Sequence, residues 1–257
     1  MATVASGVAG GARGPGVTEL DLIRPGSNEA DFDLLIAIPT HDYTVHVQTM
    51  AGVLDTQKAF DDRVSLITHA GFLPMVRDVV CSTFLHETTA THLLCVDSDM
   101  GFRAAHVARL LAANVEFVSG VAAKKTVDPR LAAGGHTGRR GGPDNVLAEM
   151  THVGGAFLLL SRWCLERMYA EYPALAYGDV RALWLPKLTP DGIYESEDAA
   201  FCSRWRAIGG DVWMHTECVV DHYGEFRYNP RSVQALLDQQ VRDGDDKLKR
   251  DTDRVPK

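Results

Sequence analysis

Short runs of consecutive apolar residues alternate with amphipathic stretches over the first half of the chain. The first run extends from Asp33 to Pro39, and an unbroken apolar run of this length is typical of a strand buried on both faces. Three strand–helix pairs followed by a fourth strand predict right-handed crossovers and a parallel sheet, so the fold class is α/β. The predicted strands are 33–39, 64–68, 93–96 and 116–121, and the predicted helices are 43–60, 74–87 and 103–114.

The pattern changes after residue 125. Residues 132–145 are rich in glycine and contain two arginines, which predicts a long mobile loop. Ser196 is placed to cap a helix that Gly209 and Gly210 end. The short strands of this half predict a small antiparallel portion. The remaining predicted elements are strands at 146–152, 156–160, 211–214 and 217–221 and helices at 162–172 and 197–208.

We expect one main domain between two polar ends. The Gly- and Ala-rich start predicts a flexible N-terminal arm over 1–30, and the charged end predicts a polar helix or tail over 231–257, which leaves 31–230 for the domain. No stretch approaches the roughly 18 apolar residues that span a bilayer, and the start does not have the form of a secretory signal. A cytoplasmic location without a membrane span is therefore expected.

The overall charge argues against broad electrostatic binding to nucleic acid or to an anionic membrane. The chain has 26 Lys and Arg residues against 34 Asp and Glu residues, a formal net charge of -8. This excess leaves room only for a local basic groove. The five cysteines are scattered, which argues against a disulfide framework or a zinc ribbon and predicts small buried thiols.

The sharpest chemical feature is the triplet Asp97-Ser98-Asp99, directly after the predicted strand 93–96. In open α/β sheets, ligands bind at the carboxyl ends of the strands. Two carboxylates there repel each other, and a divalent cation that also binds phosphate oxygens would neutralise them. The alternative is a solvated turn that ends the strand.

Two later features have both a functional and a structural interpretation. His222 ends an apolar run and is either a hydrogen-bonded core histidine or a partner of Asp99 at a metal. Glu197 and Asp198 lie in the first turn of a helix, where the helix dipole alone explains acidic residues. A carboxylate there can also act as a general base toward a substrate hydroxyl.

The order of these features resembles that of the GT-A glycosyltransferases, in particular the family 2-like group, over residues 33–228. Four motifs carry the resemblance: the acidic triplet after a buried strand, the glycine pair in VGGAFLLLSR, the helix in SEDAAFCSRWRAIGGDVW, and the late histidine in DHYG. The resemblance implies a GT-A (Rossmann-like) catalytic domain over 31–230, with a mainly parallel central sheet, flanking helices and a small antiparallel portion. It also implies sugar transfer from a nucleotide-sugar, a UDP- or GDP-sugar above others, to an acceptor hydroxyl with inversion, using Mn²⁺ or Mg²⁺.

The resemblance assigns a role to each acidic residue and to the histidine. Asp99 and His222 would bind the metal, and Asp97 would meet the metal or the donor ribose. Asp198 would take the proton of the acceptor hydroxyl, with Glu197 as a neighbouring polar contact.

The resemblance also implies contacts with donor and acceptor. Gly154 and Gly155 would let the sugar or the acceptor approach the backbone closely. The residues expected around the donor nucleotide are Pro39, Thr40, Asp42, Thr68, Arg77, Asp97 and Ser98.

Two basic pairs are not part of the four motifs. Lys124 and Lys125 follow a strand end, where they either meet phosphate or are solvated. Arg139 and Arg140 either clamp an anionic acceptor or the donor, or lie in a plain mobile loop. The acceptor stays open between a small metabolite, a glycan precursor, a protein and a modified base in DNA, although the net charge disfavours DNA.

Other functions compete with this interpretation. A sugar-1-phosphate nucleotidyltransferase would carry a Gly-rich basic loop after the first strand, where this chain reads IPTHDYTVH. A P-loop enzyme is excluded because GxxxxGK[ST] does not occur. A non-catalytic nucleotide-binding module of the same fold, and sugar transfer with retention, both stay open.

Overall fold

A computed structural model describes residues 32–126, 130–176, 178–224 and 227–228. The predicted arm over 1–30 and the predicted tail over 231–257 lie outside the described residues. The helices are α1 Val47–Phe60, α2 Leu73–Glu87, α3 Ala104–Ala112, α4 Arg162–Glu171 and α5 Glu197–Ala207. The strands are β1 Leu34–Thr40, β2 Val64–Ala70, β3 His92–Val96, β4 Met100–Gly101, β5 Phe117–Val121, β6 Ala133–Gly141, β7 Leu147–Val153, β8 Phe157–Ser161, β9 Lys187–Leu188, β10 Tyr194–Glu195, β11 Trp213–Val219, β12 Asp221–Tyr223 and β13 Arg227–Tyr228.

An eight-stranded mixed sheet forms the centre, in the order β2-β1-β3-β8-β5-β11-β7-β6. The pairs β1–β2, β1–β3 and β5–β11 are parallel, whereas β8 runs antiparallel between β3 and β5, and β7 pairs antiparallel with β11 and β6. The α/β class and the flanking helices are confirmed. The antiparallel portion is larger than predicted, because β8 lies in the middle of the sheet and β6 extends it.

The central strands are buried on both faces, as their unbroken apolar runs predict. In β1, Leu35 and Ala37 pack in a cluster with the apolar residues of α2, α4 and α5, whereas Ile36 and Ile38 pack in a second cluster with those of α1 and α3. The five cysteines are all buried and free, as expected. Helices on both faces thus leave the strand ends as the place where polar side chains can gather.

The prediction of a mobile loop at 132–145 is wrong. Residues 133–141 form β6, which pairs antiparallel with β7, with a register shift between His136 and Arg140. Two glycines allow this pairing, because a Cβ on Gly134 would lie 2.6 Å from the His152 ring and one on Gly135 would collide with Thr151. The glycines therefore serve close packing between strands.

Two smaller differences concern local detail. Ser196 is the N-cap residue of α5, but its side chain makes no capping hydrogen bond, and α5 begins at Glu197. The predicted run 217–221 is the end of β11 followed by β12. Among the described residues, no helix has the length and apolar character needed to cross a membrane.

We predict that Gly135→Ala lowers the free energy of unfolding by about 2–4 kcal/mol. Gly135 has a φ of +66°, which costs an L residue about 1–2 kcal/mol, and the collision with Thr151 adds a similar amount. Urea unfolding measures the change. The control is Gly192→Ala, at a φ of +83° with no described heavy atom within 4 Å, which isolates the backbone cost. Equal costs at the two positions would contradict the packed strand.

Candidate functional site

A buried arginine joins two of the sequence motifs. Arg77 in α2 has a side chain that is 2% exposed. Its Nη2 donates to Asp97 Oδ1 at 2.8 Å and its Nη1 donates to Asp198 Oδ1 at 2.7 Å. Glu197 Oε1 lies 3.9 Å from the same Nη1. One cation thus holds the acidic turn after β3 against the first turn of α5.

The guanidinium of Arg77 is packed as well as paired. Its central carbon lies 4.7 Å from the ring centroid of Trp184, and that ring also stacks on Phe201, with ring centroids 3.9 Å apart. Gly155 completes the packing, because a Cβ there would lie 2.9 Å from Asp198 Oδ1 and 3.1 Å from the guanidinium carbon. Gly155 is therefore required for the approach of these side chains.

Burial shapes the charge of Asp198. Burial raises the pKa of the Asp198 carboxyl to about 6; the Arg77 cation opposes this rise, and the carboxylates of Asp97 and Glu197 reinforce it. Burial also lowers the pKa of Arg77, but Asp97 and Asp198 raise it by more, so the guanidinium stays charged. Asp198 is therefore ionised at neutral pH and is more basic than a solvated carboxylate.

Strand pairing brings the histidine of DHYG to the acidic turn. Strand β4 directly follows the turn, and β12 pairs with it antiparallel, with His222 opposite Met100. His222 Nε2 lies 3.1 Å from Asp99 Oδ1, as the motif order predicted. Gly101 admits this pairing, because a Cβ there would lie 2.5 Å from the Tyr223 ring.

The hydrogen bond of the second ring nitrogen fixes the tautomer of His222. Its Nδ1 lies 2.8 Å from the carbonyl oxygen of Ala123, which can only accept, so Nδ1 carries the proton. Nε2 then faces Asp99: the protonated ring stabilises that carboxylate, and the neutral ring offers the Nε2 lone pair to a metal ion. Metal-binding histidines are held in this way by a backbone carbonyl.

The separation of Asp99 Oδ1 and His222 Nε2 suits either a direct ion pair or two ligands of one divalent ion. Asp99 Oδ1 is buried without a hydrogen-bond donor although Nε2 lies beside it. Two neighbouring ligands of one octahedral ion, each at about 2.1 Å, lie about 3 Å apart, which matches the observed separation. Asp99 Oδ2 forms an ion pair with Lys125 Nζ. Burial raises the pKa of Asp99, but His222 and Lys125 lower it by more, so the carboxyl is ionised.

Asp97 has a different partner from the one expected. Its Oδ1 is bound to Arg77. Within the described residues, no group of three or more His, Cys, Asp and Glu side chains is arranged to hold a metal ion. A divalent ion at Asp99 and His222 would therefore take further ligands from a substrate, as Mg²⁺ does when it binds phosphates.

The backbone of the turn 97–99 is hydrogen-bonded on every side. The rings of His46 and Tyr223, whose backbone N–H groups bind the turn, stack with centroids 4.4 Å apart. The bonds of the turn are Asp97 N to Ala156 O (2.9 Å), His46 N to Ser98 O (2.7 Å), Thr49 Oγ1 to Ser98 O (3.0 Å) and Tyr223 N to Asp99 O (2.8 Å). Ser98, expected near the donor, thus anchors the start of α1 through its carbonyl.

The other residues expected around the donor lie at the ends of β1 and β2. Pro39 and Thr40 are buried in β1, and the Thr40 hydroxyl accepts from Tyr43 N at 2.9 Å. Asp42 is exposed and accepts from Thr44 N, which lowers its pKa. Thr68 is exposed in β2, opposite Ile38 of β1.

The glycine pair has a structural role that the sequence did not indicate. Gly154 N donates to Ala132 O at 2.6 Å, and a Cβ on Gly154 would lie 3.0 Å from that oxygen. The protein's own packing thus requires glycine at both Gly154 and Gly155, and the approach of a sugar or acceptor there stays a prediction.

The arginine pair is not at this site. Arg139 forms an ion pair with Asp211, lies 3.6 Å from Glu149 and stacks on Trp213. Glu149 also binds Arg206 in the last turn of α5, about 12 Å along the helix axis from Asp198. Arg139 is therefore bound by acidic residues of the protein, and the clamping of a ligand by it stays a prediction.

The three remaining basic residues have different surroundings. Arg140 donates to Asn145 O within its own hairpin. Lys124 is exposed. Burial lowers the pKa of His152, and the positive charge of Lys124 lowers it further. Lys125, its neighbour, is the lysine that reaches Asp99.

Sequence analysis missed Trp184 and Asp78. Asp78 is 4% exposed and accepts from Trp184 N at 2.9 Å, so it fixes the ring that packs on Arg77. Burial raises the pKa of Asp78 to about 7, while hydrogen bonds from Trp184 and Leu183 oppose the rise. The only signal in the sequence was a tryptophan in a segment without periodicity.

We predict that Asp198 makes the folded protein less stable as the pH rises. Because its folded pKa of about 6 exceeds the unfolded value of 3.8, the stabilisation is complete below 3.8 and is lost as the pH rises through 6. Between pH 5 and 7, the wild type should lose about 1 kcal/mol more than Asp198→Asn in chemical unfolding. Glu197→Gln keeps Asp198 and should keep most of the wild-type dependence. Parallel pH profiles for wild type and Asp198→Asn would contradict the raised pKa of Asp198.

Comparison with known proteins identifies no family. Models of protein families give no match to the chain, and the curated proteins give none either. Among solved structures, A197 from STIV is similar, at 15% sequence identity and a TM-score of 0.47, over 75% of this chain and 86% of that chain. A similarity this remote carries no argument about function, which has to be inferred from the contacts of the chain itself.

Proposed function

We propose that this protein is a metal-dependent glycosyltransferase of GT-A fold, which moves a sugar from a nucleotide-sugar to an acceptor hydroxyl with inversion. One observation carries the proposal: the turn 97–99 is shared by two groups of side chains. Asp97 is joined through Arg77 to Asp198, and Asp99 lies against His222. A candidate base and a candidate metal pair therefore flank one turn at the carboxyl end of β3.

Asp198 is the proposed general base. Arg77 binds its Oδ1, and Oδ2 would take the proton of the acceptor hydroxyl. As that proton moves, the acceptor oxygen bonds to the anomeric carbon, and the bond from this carbon to the diphosphate oxygen breaks. A pKa of about 6 suits this task, because the carboxylate is ionised at neutral pH and still basic.

Asp99 and His222 would hold the divalent ion. Bound Mn²⁺ or Mg²⁺ would offset the negative charge of the departing diphosphate. The local charge supports this assignment, since Asp97, Asp99, Glu197 and Asp198 are in contact with two cations, Arg77 and Lys125. The cluster is thus negative and attracts a further cation.

The position of the cluster supports a nucleotide ligand. Parallel strands β1, β2 and β3 end at the same edge, which is where open α/β sheets bind ligands. Thr40 and Asp42 at the end of β1 and Thr68 in β2 are the proposed donor contacts. A UDP- or GDP-sugar is the proposed donor.

We predict that Asp198→Asn lowers the transfer rate by about 10²–10⁴-fold, because the amide keeps the shape of the carboxylate and removes its basicity. Nucleoside diphosphate release from a panel of UDP- and GDP-sugars, with Mn²⁺ and candidate acceptors, measures the rate. In the wild type, kcat/KM should fall about tenfold per pH unit below pH 6, since Asp198 then becomes protonated.

Glu197→Gln is the matched control for this experiment and should have a milder effect. Donor affinity should stay close to that of the wild type in Asp198→Asn, because the donor contacts involve other residues. Transfer at the wild-type rate by Asp198→Asn would show that another group is the base.

We also predict that Asp99→Asn and His222→Ala each weaken Mn²⁺ binding by at least about tenfold, since loss of a ligand costs at least as much as loss of a residue that orients one. Calorimetric titration with Mn²⁺, alone and with UDP or GDP, measures this. Asp191→Asn removes a carboxylate that is bound to Thr189 and should leave the affinity unchanged. Equal affinities in all four proteins would remove the metal site.

The same protein preparation distinguishes the main alternative enzyme. A sugar-1-phosphate nucleotidyltransferase would release pyrophosphate from a nucleoside triphosphate and a sugar 1-phosphate, whereas the proposed transferase would not. A non-catalytic module would bind UDP or GDP without turning over any nucleotide-sugar.

A further inference from the structure

Lys125 binds the carboxylate of Asp99, which is also part of the proposed metal site. Its Nζ forms an ion pair with Asp99 Oδ2, while Asp99 Oδ1 faces His222 Nε2. The two oxygens of one carboxylate thus face an ammonium on one side and a candidate metal ligand on the other. A divalent ion and the ammonium are both attracted to this carboxylate, and each repels the other.

The backbone around Lys125 is fixed, whereas its side chain is long and partly free. Ala123 O accepts from His222 Nδ1, and Ala123 forms a β-bridge with Leu131. Lys124 N donates to Arg130 O at 2.7 Å. Lys125 itself has a side chain that is 35% exposed. The ammonium can therefore change its partner by rotation of its own four-carbon chain while the backbone keeps its place.

The charges favour a particular new partner. When a divalent ion approaches Asp99, the ammonium loses part of the attraction that held it there. The diphosphate of a donor brings several negative oxygens to the same place, and lysine binds phosphate as a point charge. The change of partner would leave both the carboxylate and the ammonium neutralised.

We propose that Lys125 holds Asp99 in the free protein and moves to the diphosphate of the donor when the divalent ion and the donor bind. This inference rests on the proposed function, because it takes a nucleoside diphosphate group as the ligand. Lys125 then acts twice: it competes with the metal when no donor is present, and it binds the donor when the metal is in place.

The two actions predict shifts of opposite sign in Lys125→Met. Without nucleotide, Mn²⁺ should bind about 3- to 10-fold more tightly than to the wild type, as measured by electron paramagnetic resonance of free Mn²⁺. At saturating Mn²⁺, UDP or GDP should bind about 3- to 10-fold more weakly in calorimetric titration. Lys125→Arg keeps the charge and should restore most of the nucleotide affinity.

Lys58→Met, in the last turn of α1, makes the same change of net charge elsewhere and should leave both affinities within about twofold. Circular dichroism checks that each variant is folded. Unchanged Mn²⁺ affinity in Lys125→Met, or a shift of both affinities in the same direction, would overturn the exchange.

The outcomes for Lys125 and for sugar transfer are distinguishable. Opposite shifts in Lys125→Met without any sugar transfer by the wild type would support the exchange and reject the transferase. Sugar transfer by the wild type without these shifts would reject the exchange alone. If neither wild type nor variant binds Mn²⁺, both are wrong.

Discussion

The burial of the Arg77 charge is the constraint on which the rest of the site depends. A guanidinium removed from water is tolerated only if it is paired and hydrogen-bonded. Arg77 meets this condition at Nη1 and Nη2 with two carboxylates, 121 and 20 residues away in the chain, while its Nε is buried without a hydrogen-bond partner. Its pairing therefore fixes the relative positions of α2, the acidic turn and α5. Without the cation, Asp97 and Asp198 would face each other uncompensated.

The pattern of apolar residues predicted the central elements because burial on two faces leaves a clear trace in a sequence. In β1, both faces need apolar side chains, and the run from Leu34 to Ile38 supplies them without interruption. The segment 132–145 gave the opposite result. Glycine there permits close approach between strands, at Gly134 and Gly135, and composition alone does not separate this use from flexibility.

The parts of the candidate site that strand pairing brings together could be predicted from the sequence. The parts that depend on the direction of long side chains could not. Asp99 and His222 meet because β4, directly after the acidic triplet, pairs with β12, which contains His222. The ion pairs of Arg77 depend instead on the direction of a long side chain, and no sequence pattern indicates that Asp97 and Asp198 share this arginine. Trp184 was missed for the same reason, since stacking on a cation leaves no periodic pattern.

The hydrogen bonds around the turn 97–99 have a consequence for ligand affinity. The start of helix α1, the residue before strand β8 and strand β12 each bind a different backbone group of the turn, so its conformation is already set by the fold. Association with a charged ligand then loses little backbone entropy, because no loop has to become ordered at this point. On binding, only side chains and the ligand lose conformational entropy. Because folding has already ordered the acidic turn, its rigidity contributes to ligand affinity.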